Sequence, residues 1–293
     1  MAVWMTVLKI VLFIVLAPFV GGLLAGFDRK ITARFQGRQG PPFLQPFYDL
    51  AKLFNKQSLI VNKFQTFLIG GYVLFTVFTG CLFFAGGDLL LVFFATTLGE
   101  TFFLMAAFSA NSPFSSMGVQ RELVQTMCAE PMLLLAPIGF YRVTGSFMVG
   151  DIVGTNMPLI VFLPGMFLGF LFILTIKLRK SPFDLSTSHH AHQEMVKGTT
   201  TDLTGNVYAL VELAEWYEQV LLMAYVALFI VNRNPWSILA AVVVCLACYF
   251  LEILIDNVFP RVKWDKMFRS AWLATLIFGG INLLAIMSVR FIH

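Results

Sequence analysis

Eight stretches of predominantly apolar residues, each about 20 long, leave this chain few ways to fold. They lie near 3–26, 64–86, 88–110, 121–146, 157–177, 207–231, 236–257 and 269–290. A helix of that length crosses the roughly 30 Å hydrocarbon core of a bilayer. With no water there, each backbone polar group has to be satisfied within the helix itself. Composition points the same way: 12% of the 293 residues are charged, where a soluble domain carries about 25%. The expected fold is all-α, a polytopic membrane protein of about eight transmembrane helices forming a single domain over 1–293. Residues 2–25 read as a full-length span rather than a short apolar core before a cleavage site, so no cleavable leader is expected. The four cysteines, Cys81, Cys128, Cys245 and Cys248, all fall in apolar segments and read as small packing residues.

Charge placement orients the spans. Setting the N-terminus outside makes 27–63, 111–120, 178–206 and 258–268 the inner loops. Those loops and their flanking helix ends hold 16 of the 20 Lys and Arg; only Lys9, Arg142, Arg233 and Arg290 fall on the outer side. The positive-inside rule then favours an even number of spans, both termini outside and the large loops in the cytoplasm. Within the first inner loop, QPFYDLAKLFNKQ places Phe47, Leu50, Leu53 and Phe54 on one helical face. This predicts an amphipathic helix lying along the membrane surface or under a partner. Before it, Gly37, Gly40, Pro41 and Pro42 predict a tight turn from which Arg34 and Arg38 project.

Carboxylates inside apolar helices carry the functional signal. Glu100 lies in the third span, Glu122 and Glu130 in the fourth, Glu252 and Asp256 near the inner end of the seventh. In the sixth, VELAEWYEQV repeats Glu212, Glu215 and Glu218 every three residues. An ionised group at the bilayer centre costs about 2.5–3.5 kcal/mol or more. Two readings are open: interfacial snorkelling or pairing, as for Glu122 beside Arg121 and for Glu252, Asp256 and Glu212, or a polar path. Glu130, Glu215 and Glu218 favour the path, because buried or crowded carboxyl groups exchange protons near neutral pH.

The wettest segment is SPFDLSTSHHAHQEMVKGTTTDLTG at 181–205. His189, His190 and His192 allow a metal site, a merely solvated loop, or a proton-responsive junction. The histidines lack a confirmed helical i, i+4 pair and a cysteine companion, so they form a weak ligand set. Their unperturbed pKa near 6.5, with Asp184 and Glu194 close in sequence, favours the junction. No metal is expected in this chain. It also lacks a four-cysteine cluster pattern, a haem site and a dinucleotide fingerprint, so no cofactor of its own is expected.

The ordered motifs support a family assignment. GRQGPP…LQPFYDLAKL closely resembles the quinone-site membrane subunit of complex I, the H-type subunit of NADH–quinone oxidoreductase. Pro182-Phe183-Asp184-Leu185 matches that family's inner loop, and Asp202-Leu203-Thr204-Gly205 its Glu-Tyr-Ser-Gly-like turn. NSPFSSMGVQRELVQTMCAE at 111–130 and FPRVKWDKMFRSAW at 259–272 match further. The departures point to a branch. Lys177 and Lys180 stand where complex I carries an acid and an Arg, Glu122 replaces a small residue, and Ala129 replaces a Tyr. HHAHQE after PFDL is similar to the membrane-bound, energy-converting [NiFe]-hydrogenase branch, which includes formate hydrogenlyase.

This resemblance implies a coupling subunit in a prokaryotic cytoplasmic (inner) membrane. Its expected partners are the peripheral hydrogenase large and small subunits, iron–sulfur proteins, antiporter-like membrane subunits and the lipid bilayer, with no nucleic acid. The [NiFe] centre and iron–sulfur clusters are expected in those partners, and the departures argue against a quinone pocket here. The expected proton-coupling residues are Glu122, Glu130, Asp184, His189, His190, His192, Glu194, Asp202, Glu212, Glu215 and Glu218. Arg34, Arg38, Gln45, Asp49 and Lys52 are the expected seat of the peripheral arm. Alternatives are the equivalent subunit of a related complex with a quinone or sulfur acceptor, and an independent ion transporter.

Overall fold

A computed structural model of the chain describes residues 2–57, 62–183, 186 and 197–288. Its helices are α1 (Ala2–Phe35), α2 (Gln45–Asn55), α3 (Lys63–Phe84), α4 (Leu89–Phe108), α5 (Pro113–Thr144), the short α6 (Val149–Val153), α7 (Pro164–Lys177), α8 (Gly205–Leu228) and α9 (Trp236–Val258). The last span is continuous from 264 to 288: α10 (Trp264–Ala274), a π-helical stretch (Thr275–Gly280) and α11 (Ile281–Ser288). No strand occurs among the described residues, and the fold is that of an all-α polytopic membrane protein.

Each of the eight sequence segments coincides with a helix, but six are long and apolar enough to cross a membrane by themselves: α1, α3, α4, α5, α9 and 264–288. The exceptions have physical causes. At 14 residues α7 rises only about 21 Å. α8 is long enough at 24 residues, but Glu212, Glu215 and Glu218 lower its hydropathy. It escapes that cost by enclosure, packing against α1, α2, α3 and α9. Around it α1 and α9 turn apolar side chains such as Leu8, Val15, Leu239 and Val243 outward.

Helix ends differ from the sequence expectation mainly at inner loops. α1 continues to Phe35 and α5 begins at Pro113, so parts of the expected loops 27–63 and 111–120 are helical. α1 stops at a Schellman turn, in which Gly37 N–H donates to Arg34 O (3.1 Å) and Arg38 N–H to Ala33 O (2.8 Å). Gly37 takes φ +68° there, the left-handed conformation glycine adopts without penalty. The chain then doubles back so that α2 lies against α1 and α8. Its anchor is Phe47, whose ring meets Trp216 edge-on at 5.3 Å between centroids. A Cβ on Gly22 of α1 would come within 2.5 Å of that ring, so only glycine leaves it room.

Candidate functional site

The site is organised by the way α7 ends. Arg179 N–H donates to Ile176 O (3.0 Å) and Lys180 N–H to Thr175 O (3.1 Å), the hydrogen-bond pair of a Schellman turn. The left-handed position is held by Arg179, at φ +50°. An arginine there accepts a backbone cost on the order of 1–2 kcal/mol that glycine would avoid. The turn sends three neighbouring cations in different directions. Lys177 pairs with Glu100 of α4. Arg179 bonds Glu122 of α5 at 2.9 Å and Glu215 of α8 at 2.6 Å. Lys180 pairs with Asp28 of α1 and stands 3.9 Å from Asp256 of α9. Five helices are thereby cross-linked through one turn.

The stripe on α8 faces this turn. Glu212 accepts from Tyr208 Oη–H at 2.7 Å, and Glu218 accepts from Tyr72 Oη–H of α3 at 3.2 Å. Glu212, Glu215 and Glu218 line a cavity of about 250 Å³ together with Asp28, Arg29 and the three cations. Lys177 and Glu218 also line two smaller cavities of about 20 Å³ each, one beside Glu122 and Gln125, the other beside Thr96 and Thr97. A space of that size with several polar partners is large enough for one water. Polar groups thus continue from the large cavity inward to Glu100. Four carboxyl groups, Glu100, Glu122, Glu215 and Glu218, gather around Lys177 and Arg179.

Several expected residues are elsewhere. Glu130 makes no hydrogen bond or ion pair among the described residues, although Glu100 and Lys177 act on it electrostatically. Asp202 accepts from Ser115 Oγ–H at 2.7 Å and ties the loop before α8 to the start of α5. Glu122, for which pairing with a cation is one of the two open readings, bonds Arg179 of the α7 turn. Glu252, for which interfacial snorkelling or pairing is one of the two open readings, is fully buried. Thr175, Lys180 and Asp256 are the polar groups that act on it. Asp184, His189, His190, His192 and Glu194 lie outside the described residues.

Of the expected docking residues, Asp49 accepts from Arg29 at 2.6 Å and from Gln45 at 2.9 Å, pinning α2 to α1. Partial burial raises the Asp49 pKa. Hydrogen bonds from Arg29 and Gln45 and the charges of Arg29 and Lys52 outweigh this and hold it below the ordinary 3.8. Arg34, Arg38 and Lys52 are exposed.

Glu100, Lys177, Arg179, Lys180, Asp28 and Tyr72 complete the site and were absent from the sequence-derived set. A usable signal existed for the cations. KLRK puts three positive charges at the end of an apolar helix, in a chain with carboxylates buried on at least four others.

Comparison with known proteins bears on the whole assembly of helices. The chain matches the family described as NADH dehydrogenase over residues 8–287. Hydrogenase-4 component C of Escherichia coli (strain K12) is 28% identical over 282 residues, covering 90% of this chain and 87% of that protein. Formate hydrogenlyase subunit 4 of the same strain is 27% identical over 288 residues, covering 86% and 90%. The H-type subunit of NADH-quinone oxidoreductase from Ehrlichia ruminantium (strain Gardel) is 28% identical over 316 residues, covering 90% and 84%. A solved chain of the membrane-bound sulfane sulfur reductase, an archaeal respiratory membrane complex, shares the fold. The TM-score is 0.85 at 24% identity, covering 96% of this chain and 99% of that one.

Proposed function

This chain belongs to the NADH dehydrogenase family, and from that premise we propose that it is the membrane-anchoring and coupling subunit of a multisubunit membrane-bound [NiFe]-hydrogenase of the formate hydrogenlyase or energy-converting type. Its relatives are subunits of multisubunit membrane oxidoreductase complexes, so partner subunits belong to its working state. The observation that carries the reading is the turn at 177–180, which joins the inner loop directly to acids on five helices beside a cavity of about 250 Å³ lined by charged groups. Redox turnover in the peripheral arm changes the charge or position of that loop. The loop redistributes protons among Glu122, Glu215 and Glu218, and neighbouring antiporter-like subunits move the ion. The [NiFe] centre and iron–sulfur clusters belong to the partners.

The peripheral arm sits on the cytoplasmic side against α2 and the end of α1. Arg34, Arg38 and Lys52 meet it there, while Gln45 and Asp49 hold α2 in place beneath it. Both termini lie on the outer face of a prokaryotic inner membrane. The Glu215→Gln/Glu218→Gln double variant in the intact complex tests the mechanism: ion translocation per hydrogen evolved is expected to fall at least roughly tenfold. Unchanged hydrogen evolution together with unchanged translocation rejects it.

A second reading, the equivalent subunit of a complex with a quinone or sulfur acceptor, draws on the similarity to the H-type subunit of NADH-quinone oxidoreductase. The 250 Å³ cavity favours the hydrogenase reading over a quinone acceptor. Its lining is densely charged, where ordinary ligand pockets are mostly apolar. Assaying the purified complex with each acceptor separates the two. An independent transporter would move ions when this chain is expressed alone, whereas a coupling subunit is inert without its partners.

A further inference from the structure

One of the two small cavities is lined by two acceptors with no donor. Glu122 Oε2 and Gln125 Oε1 are both inaccessible and both without a hydrogen-bond partner among the described residues, and both residues line the same 20 Å³ space. Gln125 is 4% exposed. Its amide orientation is determined by its other end. Nε2–H donates to the backbone carbonyl of Phe183, a group that can only accept, so Oε1 has to turn the opposite way. Phe183 belongs to the inner loop, in the segment joining α7 to the residues beyond. One amide therefore has its donor on that loop and its acceptor toward the acid cluster.

We infer that this cavity is a binding site for a single water, held by donation to Glu122 and Gln125, and that Gln125 is the positioning residue through which the inner loop sets that water's orientation. The volume accommodates one water, and the two orphaned acceptors match its two donors. Its lone pairs then face the remaining lining groups, among them Lys177 and Arg179. The water bridges a gap in the inward route. A proton arriving on its oxygen is matched by release of another along the bond donated to the Glu122 carboxylate, while the Gln125 amide oxygen only orients the molecule, so the water is unchanged after each transfer. Movement of the Phe183 carbonyl withdraws the partner that orients the amide. A rotated Gln125 presents N–H groups to the cavity and breaks the relay. This inference rests on the coupling reading of the same site.

Two measurements test it. A density map of the intact complex that resolves ordered waters is expected to show one peak within hydrogen-bond distance of Glu122 and Gln125; an empty cavity overturns the inference. In membranes holding the assembled complex, Gln125→Met is expected to leave redox turnover in place while ions translocated per electron pair fall by roughly tenfold.

Gln125→Glu supplies a readout that packing alone would not move. As a neutral acid its O–H can donate to Phe183 while its carbonyl oxygen accepts from the water; once ionised it has no donor. Its translocation ratio should therefore be retained at acid pH and lost as pH rises, a dependence added to that of the groups facing it, Tyr72, Glu100, Glu122, Lys177, Arg179 and Glu218. A profile matching the unsubstituted complex, or full coupling in Gln125→Met, overturns the role of Gln125. Should Gln125→Met fail to assemble, the map and the Gln125→Glu profile decide. Glu215→Gln/Glu218→Gln serves as the control: if it too translocates normally, the coupling reading has failed; if it alone is uncoupled, only the water inference has.

Discussion

Arg179 shows how a single residue converts a chain end into a junction. Its guanidinium is a permanent cation with a rigid fork of donors, and here the fork reaches two carboxylates on different helices, Glu122 and Glu215. Removing it leaves both without their shared partner. Breaking a buried pair costs about 3–5 kcal/mol; with 19% of the arginine side chain and 37% of the Glu215 side chain exposed, the loss for Arg179→Gln should be roughly 3 kcal/mol, at the lower end of that range. A drop in the thermal unfolding midpoint of the purified complex measures it. Arg179→Lys should recover less than half, since an ammonium cannot reproduce both bonds at once. The sequence makes the charge of Arg179 visible but not its reach. Glycine is the usual signal for a left-handed helix end, and this turn uses arginine, so KLRK reads as three similar inner-face cations. Their separate partners follow from a backbone conformation that composition does not encode.

At the scale of elements, α2 was legible because its apolar residues recur on one face, and the structure places it at 45–55. What seats it was not legible. The contact between Phe47 and Gly22 joins residues on different helices, and a glycine in an apolar run has no pattern of its own. Gly22→Val should push the Phe47 ring away from α1, at the roughly 1–3 kcal/mol typical of overpacking. Faster amide exchange across 45–55 than in α3 would report the loosened seat, and the peripheral arm should wash off more readily in salt. The Arg29–Asp49 tether adds a second hold whose pH dependence has a definite sign. Asp49 has its folded pKa lowered, so the tether contributes fully above the unfolded value near 3.8 and is lost only as pH falls below it. Amide exchange in α2 should accordingly be insensitive to this group between pH 5 and 8, about the range over which histidines titrate. Asp49→Asn, in contrast, should raise exchange across that whole range.

For the molecule as a whole, the question is whether its internal charges exist to hold helices together or to carry protons. Enclosure of α8 by α1, α2, α3 and α9 serves either purpose, and apolar periodicity alone revealed the helices but not which of them shelters the acids. The Lys177–Glu100 pair separates the two roles, because it lies between α7 and α4 and its side chains are only 8% and 15% exposed. Glu100→Lys alone places two cations together, and Lys177→Glu alone places two carboxylates together; each should destabilise the complex by several kcal/mol. The exchange Glu100→Lys/Lys177→Glu restores opposite charges at the same two positions, so assembly and redox turnover should return. If the pair is only a strut, ion translocation returns with them. A proton route requires a carboxyl group on the α4 side, where Glu100 lines both small cavities. An ammonium there keeps the packing but repels the incoming proton. The exchanged complex should therefore turn over without translocating, and a translocation ratio equal to that of the unsubstituted complex would show the internal charges to be structural.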